Sequence, residues 1–178
     1  MPDLIAPTTR LHAAWLEAHE EWGPGPHEDG FGLHPSDEVD SPTGFAAWVA
    51  RLADQSDPAK QVEAGRVHCT YRWIVEGEQV LGGIALRHEL NDRLMQLGHI
   101  GYGIRPSARR RGLVTWALGR MLDEARELGL TRVLIVCEAS NLASAKTIER
   151  HGGVLENVRD TGNGLLRRYW ITIGEPSA

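Results

Sequence analysis

The chain has 178 residues, 42% hydrophobic and 24% charged, with a formal net charge of −5 at pH 7, the profile of an ordinary globular protein with enough residues for one domain and its own core. An acidic balance counts against nucleic acid as the main partner. No apolar run approaches the ~20 residues of a membrane span, and the opening Met-Pro-Asp-Leu-Ile lacks the basic and apolar regions of a signal peptide, so a cytoplasmic protein without membrane contact is expected.

In chain order, residues 8–22 read as a helix with Leu11, Trp15, Ala18 and Trp22 on one face, and 42–53 as a second with Phe45, Trp48, Val49 and Leu52. The segment 23–41 between them is rich in Gly, Pro, His and Asp, and longer than most connections. Its acids Glu28, Asp29, Asp37, Glu38 and Asp40 can attract a cationic ligand or simply be solvated. His27 and His34 fit no recognised metal spacing, and no metal is expected.

Residues 67–75 alternate Val67, Cys69, Tyr71, Trp73 and Val75, a period-2 strand. A turn at Glu76, Gly77 and Glu78 leads to a return strand over 79–87, and 99–104 reads as a third strand. Cys69 and Cys137 both fall in strands and suggest neither a disulfide framework nor a metal site.

The most informative stretch runs from Gly101 to Val114. A strand ends at Ile104, Pro106 marks a bend, and Arg109, Arg110, Arg111 and Gly112 open a helix whose apolar stripe is Val114, Ala117, Leu118, Met121, Leu122, Ala125 and Leu128. A helix N-terminus presents unpaired N–H groups and the positive end of the macrodipole, which suits a phosphate or pyrophosphate. Gly112 allows close backbone approach, and three consecutive arginines add charge-assisted donors. Without an anion, three cations there would oppose the dipole. Of the basic residues 17 are Arg and only 2 are Lys, which reads as coding bias.

Residues 131–137 form an apolar run, as in a strand covered on both faces. Asn141 can cap a helix over 142–151 that Gly152 and Gly153 end. Strands at 154–159 and 165–173 flank a turn at Thr161, Gly162, Asn163 and Gly164. Helices alternating with strands, and hairpins at both ends, argue a mixed α/β sheet.

Arg109-x-x-Gly112-x-Val114, following Ile104-Arg105-Pro106, resembles the acyl-CoA pyrophosphate loop of the GNAT N-acetyltransferases, with Val114 where the family usually has Gly or Ala. Asn141-x-x-Ser144 and the helix after it resemble the family segment that lines the pantetheine arm. With Gly98-His99-Ile100-Gly101-Tyr102 and the closing Arg168-Tyr169-Trp170-Ile171, the chain is similar to a subgroup of predicted acetyltransferases. The likeness covers residues 67–173. It implies a mixed, mostly antiparallel sheet with a splayed central strand pair flanked by helices. It also implies a single domain over 1–178, with residues 1–60 on the acceptor side and 67–173 as the acyl-CoA-binding core.

By the same resemblance, Ile104, Arg105, Arg109, Arg110, Arg111, Gly112, Leu113, Val114, Asn141 and Ser144 would contact acetyl-CoA, with a backbone N–H near Ile104 stabilising the oxyanion. The reaction implied is direct acetyl transfer to a primary amine of a small molecule or peptide in a ternary complex. Glu89 and Glu138 are candidate bases, with His88 and His99 behind them. The tyrosine that often protonates the leaving thiolate in this family is Ile148 here, leaving Tyr102, Tyr169 or water as the acid. A non-catalytic acyl-CoA sensor is the alternative. The chain is expected to be a monomer or a homodimer, and Trp116, off the helix stripe, to be exposed or to face a partner.

Overall fold

The computed structural model describes residues 1–23 and 30–175. The elements are β1 (Pro2–Ile5), α1 (His12–Trp22), α2 (Pro42–Ser56), β2 (Cys69–Glu76), β3 (Gln79–Arg87), β4 (Ile100–Ile104), α3 (Leu113–Glu127), β5 (Arg132–Glu138), α4 (Leu142–Arg150), β6 (Val154–Asp160) and β7 (Leu165–Thr172). They form a four-stranded sheet β1-β2-β3-β4 and a three-stranded sheet β5-β7-β6, with antiparallel pairing inside each. Among the described residues no helix is long and apolar enough to cross a membrane.

Strand alternation gives the first sheet two apolar faces. On one face Trp73, Val75, Val80 and Ala85 meet Trp15, Ala18, Phe45, Trp48 and Leu52 of α1 and α2. Trp15 lies 4.7 Å from Trp48, and Trp48 stacks on Trp73 at 6.1 Å, and with Trp22 four of the six tryptophans build this core. On the other face Ile74, Ile84, Leu86 and Ile100 meet Ala117, Leu118, Met121 and Ala125 of α3, with Ala145 and Ile148 of α4. Trp116 is partly buried against this second core rather than exposed.

α3 and α4 are locked side by side. His151, at the end of α4, donates through Nε2 to the Thr115 carbonyl at 2.7 Å, and its ring lies where a side chain on Gly119 would come within 3.2 Å. The mid-helix glycine thus makes room for that ring.

The two sheets join at one place. The Gly98–Ile135 bridge and the bond from His99 N–H to the Leu134 carbonyl, 2.7 Å, hold the start of β4 to β5. The His99 ring extends the ladder, its Nδ1 accepting from the Leu134 N–H at 2.9 Å. From Ile100 to Ile104 no backbone bond ties β4 to β5 among the described residues. The strands part there.

Candidate active site

The turn between β4 and α3 opens a helix N-terminus. Pro106–Ala108 form a 3₁₀ turn, Arg110 sits in the left-handed region at φ +64, and Gly112 caps α3 at φ +73. The N–H groups of Gly112, Leu113, Val114 and Thr115 have no acceptor among the described residues, as expected for the first turn of a helix. The three arginines divide their work. Arg109 folds back and donates to the Ile104 carbonyl at 3.2 Å, and Arg111 pairs with Glu76 at 2.7 Å. Arg110 is exposed and makes no ion pair among the described residues.

The parted strands are spanned at α4. The Asn141 side chain accepts from the Ser144 N–H at 3.1 Å and so caps α4. The Tyr102 hydroxyl of β4 then meets Ser144 Oγ at 2.6 Å. Cys137 of β5, whose thiol burial pushes up, lies beside the same Ser144 hydroxyl. A polar pair therefore stands between β4 and α4, within a gap whose one end is the Arg109–Gly112 turn.

The Acetyltransferase (GNAT) domain matches residues 7–154. This chain belongs to the GNAT family. It is an acetyl-CoA-dependent acetyltransferase. Its fold is similar to RimL, a ribosomal L7/L12 alpha-N-protein acetyltransferase solved with coenzyme A (TM-score 0.71, 15% identity, 96% of this chain and 93% of that one). It is also similar to MccE, the Microcin C7 self-immunity acetyltransferase solved with acetyl-CoA and AMP (TM-score 0.65, 18% identity, 96% and 92%). A third likeness is to a GNAT-family acetyltransferase from Streptococcus pneumoniae (TM-score 0.66, 12% identity, 98% and 100%). No curated protein matches the sequence.

Within this acetyltransferase the cofactor-side residues separate. Ile104, Arg109, Arg110, Arg111, Gly112, Leu113 and Val114 form the turn, and Asn141 and Ser144 open α4. The Arg105 side chain does not join them. It is buried and crosses to α1, donating through Nε to Glu21 at 2.5 Å and through Nη2 to Glu17 at 3.0 Å. Glu21 also accepts from the Ser107 N–H at 2.5 Å and from its hydroxyl at 3.0 Å. Burial works against ionising Glu21, but the bonds from Ser107 and Arg105 outweigh it and hold the carboxyl below its ordinary range. Arg105 thus ties α1 to the start of the turn.

The candidate acids and bases also separate. Glu138 ends β5, exposed, with its carbonyl accepting from the Asn141 N–H at 2.9 Å. Glu89 is exposed in the loop after β3, beyond the start of β4. His88 bonds Thr70 Oγ1 at 2.7 Å, and burial and then His68 push its pKa down. His99 is spent on Leu134, and burial, then Arg87 and Arg132, push it down to about 4. Ile148 is fully buried in the core, and the Tyr169 hydroxyl is committed to Glu149 at 2.9 Å. Of the two tyrosines, only Tyr102 stands at the gap.

Two of the described acids of the long loop, Asp37 and Glu38, turn out to be structural. Asp37 accepts from Arg51 at 2.6 Å and from the His34 N–H at 2.7 Å. Glu38 accepts from Ser41 Oγ at 2.5 Å and from the Ser41 and Asp40 N–H groups at 2.8 Å, steadying the cap of α2. The Ser41 hydroxyl holds the Glu38 carboxyl below its ordinary range. His27, Glu28 and Asp29 lie outside the described residues.

Proposed function

We propose that this acetyltransferase moves the acetyl group of acetyl-CoA to a primary amine of a small molecule or peptide, with both substrates bound at once. The observation that carries the reading is the turn at Arg109–Gly112, where, among the described residues, four N–H groups without an acceptor and an Arg110 without an ion pair lie at the start of α3. Those donors match a pyrophosphate, and Asn141 and Ser144 would flank the arm extending from it. Acetyl-CoA supplies the acetyl group as a thioester, with the CoA thiolate as leaving group. The Ile104 N–H would face the carbonyl oxygen.

Tyr102 supports transfer over mere binding. Its hydroxyl, held against Ser144, can hand a proton to the departing sulfur from β4, doing from another strand what Ile148 cannot do from α4. Glu138 is the better base of the two carboxylates, because it stands at the α4 end of β5, beside the Asn141 cap.

The test is a thiol assay for CoA release over a panel of primary amines, with mass spectrometry of the products. Amine-dependent release with an acetylated product supports transfer. Saturable acetyl-CoA binding without release for any amine would make the chain a sensor.

A further inference from the structure

On the α1–α2 face of the first sheet lies a cavity of about 260 Å³. It is framed by Gly30 to His34 of the α1–α2 loop, by the start of β2, by Ala85 and Arg87 of β3, and by Arg93 and Leu94 before β4. The loop sits directly on the sheet here: a Cβ on Gly30 would fall 2.3 Å from the Gly83 carbonyl oxygen. Only a residue without one, at its φ of +87, lets the chain close the wall so tightly.

The lining is cationic. Arg66, Arg87 and Arg93 line it beside a neutral His34, and no Asp or Glu does among the described residues. Arg87 is half-buried. One of its N–H groups goes to the Gly98 carbonyl at 2.9 Å, and no carboxylate pairs with it among the described residues. Its charge is felt by Cys69, Tyr71 and His99. A guanidinium withdrawn from water without a counter-charge is costly unless an anion completes it. Arg93 makes no ion pair either among the described residues. Arg66 is partly neutralised, with Nε 3.2 Å from the exposed Glu63. Its Nη1 donates to His34 Nε2 at 3.2 Å, which requires a neutral imidazole. Burial, then Arg51 and Arg66, push the His34 pKa down and keep it so. The Tyr71 hydroxyl donates to Gln55 at 3.0 Å. The charged groups of this cavity are thus donors, a match for carboxylate or phosphate oxygens and a poor match for a polycation.

The cavity also comes within one strand of β4. Ala85 lines it, and Ala85 pairs with Gly101 of β4, one strand spacing of about 4.8 Å away. Gly101 carries no side chain, and it neighbours Tyr102 on the strand that parts from β5. An anion held by Arg87 and Arg93 would leave an amine a few bonds away within reach of that strand.

Resting on the transferase reading above, we infer that this cavity is the acceptor site and that the acceptor is an anionic amine. It is a primary amine carrying a carboxylate or phosphate a few bonds from the nitrogen, anchored by Arg87 and Arg93.

Two arms test this in the full chain saturated with CoA. In the first, malonate and inorganic phosphate are titrated calorimetrically into wild type, Arg87→Gln and Arg93→Gln. Saturable binding, weakened roughly tenfold or more in both variants, is expected. Arg93 is exposed, so its variant guards against a folding defect at Arg87, and Arg87→Lys should restore part of the binding. In the second, kcat/KM is compared for matched pairs, β-alanine with β-alaninamide and O-phosphoethanolamine with ethanolamine. The charged member of at least one pair should lead by about tenfold in wild type, and lose that lead in Arg87→Gln. The two pairs separate a carboxylate source from a phosphate source. No saturable anion binding, equal binding by the variants, or no lead for either charged member overturns the inference while leaving the transferase reading standing. Failure of acetyl-CoA to raise the melting temperature removes the transferase reading, and with it the acceptor role, even where malonate still binds through Arg87.

Discussion

The hydroxyls of Tyr102 and Ser144 meet at 2.6 Å across the space where β4 leaves β5, tying the middle of a strand to the first turn of α4. The residue one turn further along that helix, Ile148, is fully buried, so in the proposed reaction the proton donor comes from the sheet rather than from the helix. Tyr102→Phe should lower kcat by about 100-fold, with acetyl-CoA affinity within a factor of about two. Ser144→Ala should cost about tenfold, because it removes the partner and not the proton. Steady-state kinetics with calorimetric CoA titration separates the two effects. A Tyr102→Phe enzyme at full kcat would rule out its role as acid.

At the turn, Arg110 and Gly112 contribute differently. Arg110 holds a left-handed conformation at φ +64 that ordinary side chains adopt at a cost of about 1 kcal/mol. Arg110→Gly should therefore leave thermal stability undiminished while weakening acetyl-CoA roughly tenfold. Arg111→Ala should weaken it less, since that guanidinium is already paired with Glu76. Gly112→Asp brings a carboxylate to the N–H groups themselves and should abolish binding.

Arg105 belongs to stability rather than to cofactor binding. It is buried against the exposed Glu17 and the partly exposed Glu21. Arg105→Ala should cost about 2 kcal/mol, below the cost of a fully buried broken pair because water reaches both carboxylates. Chemical denaturation measures it. Acetyl-CoA affinity of the folded variant should be unchanged.

His99 makes stability pH-dependent. Its folded pKa is pushed down to about 4, below the ordinary 6.5. Between those values the unfolded chain binds the extra proton, so stability falls as pH drops from about 6.5 to about 4 and levels off below. The full effect is about 3 kcal/mol. Protonation would turn Nδ1 from an acceptor into a donor facing the Leu134 N–H, at the only backbone junction of the two sheets among the described residues. The difference in unfolding free energy between wild type and His99→Gln should shrink by that amount from pH 7 to pH 4.

Much of this was legible in the chain. The periodicities of α3 and α4 are strong because each packs one face on a single core, β2 and β3 stand out by their β-forming residues although both their faces are buried, and the Gly112 turn announced itself by composition. β1 was missed: four residues beginning with a proline carry no period, and only pairing with β2 makes them a strand. Arg105 was read with the turn because it adjoins it. Its partners lie 84 and 88 positions away on α1, and no local pattern reports that. Glu38 reads as a free acid in sequence, yet the N–H groups of α2's cap claim it. The cationic cavity draws its arginines from β2's approach, β3 and the loop before β4, which only the folded sheet brings together.

The most direct measurement is the melting temperature of wild type and Gly112→Asp with acetyl-CoA, CoA and ATP. Ligand at a hundred times its dissociation constant adds about 2.7 kcal/mol to the folded state, a rise of roughly 5–10 °C for a chain of this size. The account predicts that rise for wild type with acetyl-CoA and CoA, not with ATP, and none for Gly112→Asp. No rise at millimolar acetyl-CoA, or an equal rise in Gly112→Asp, would contradict it.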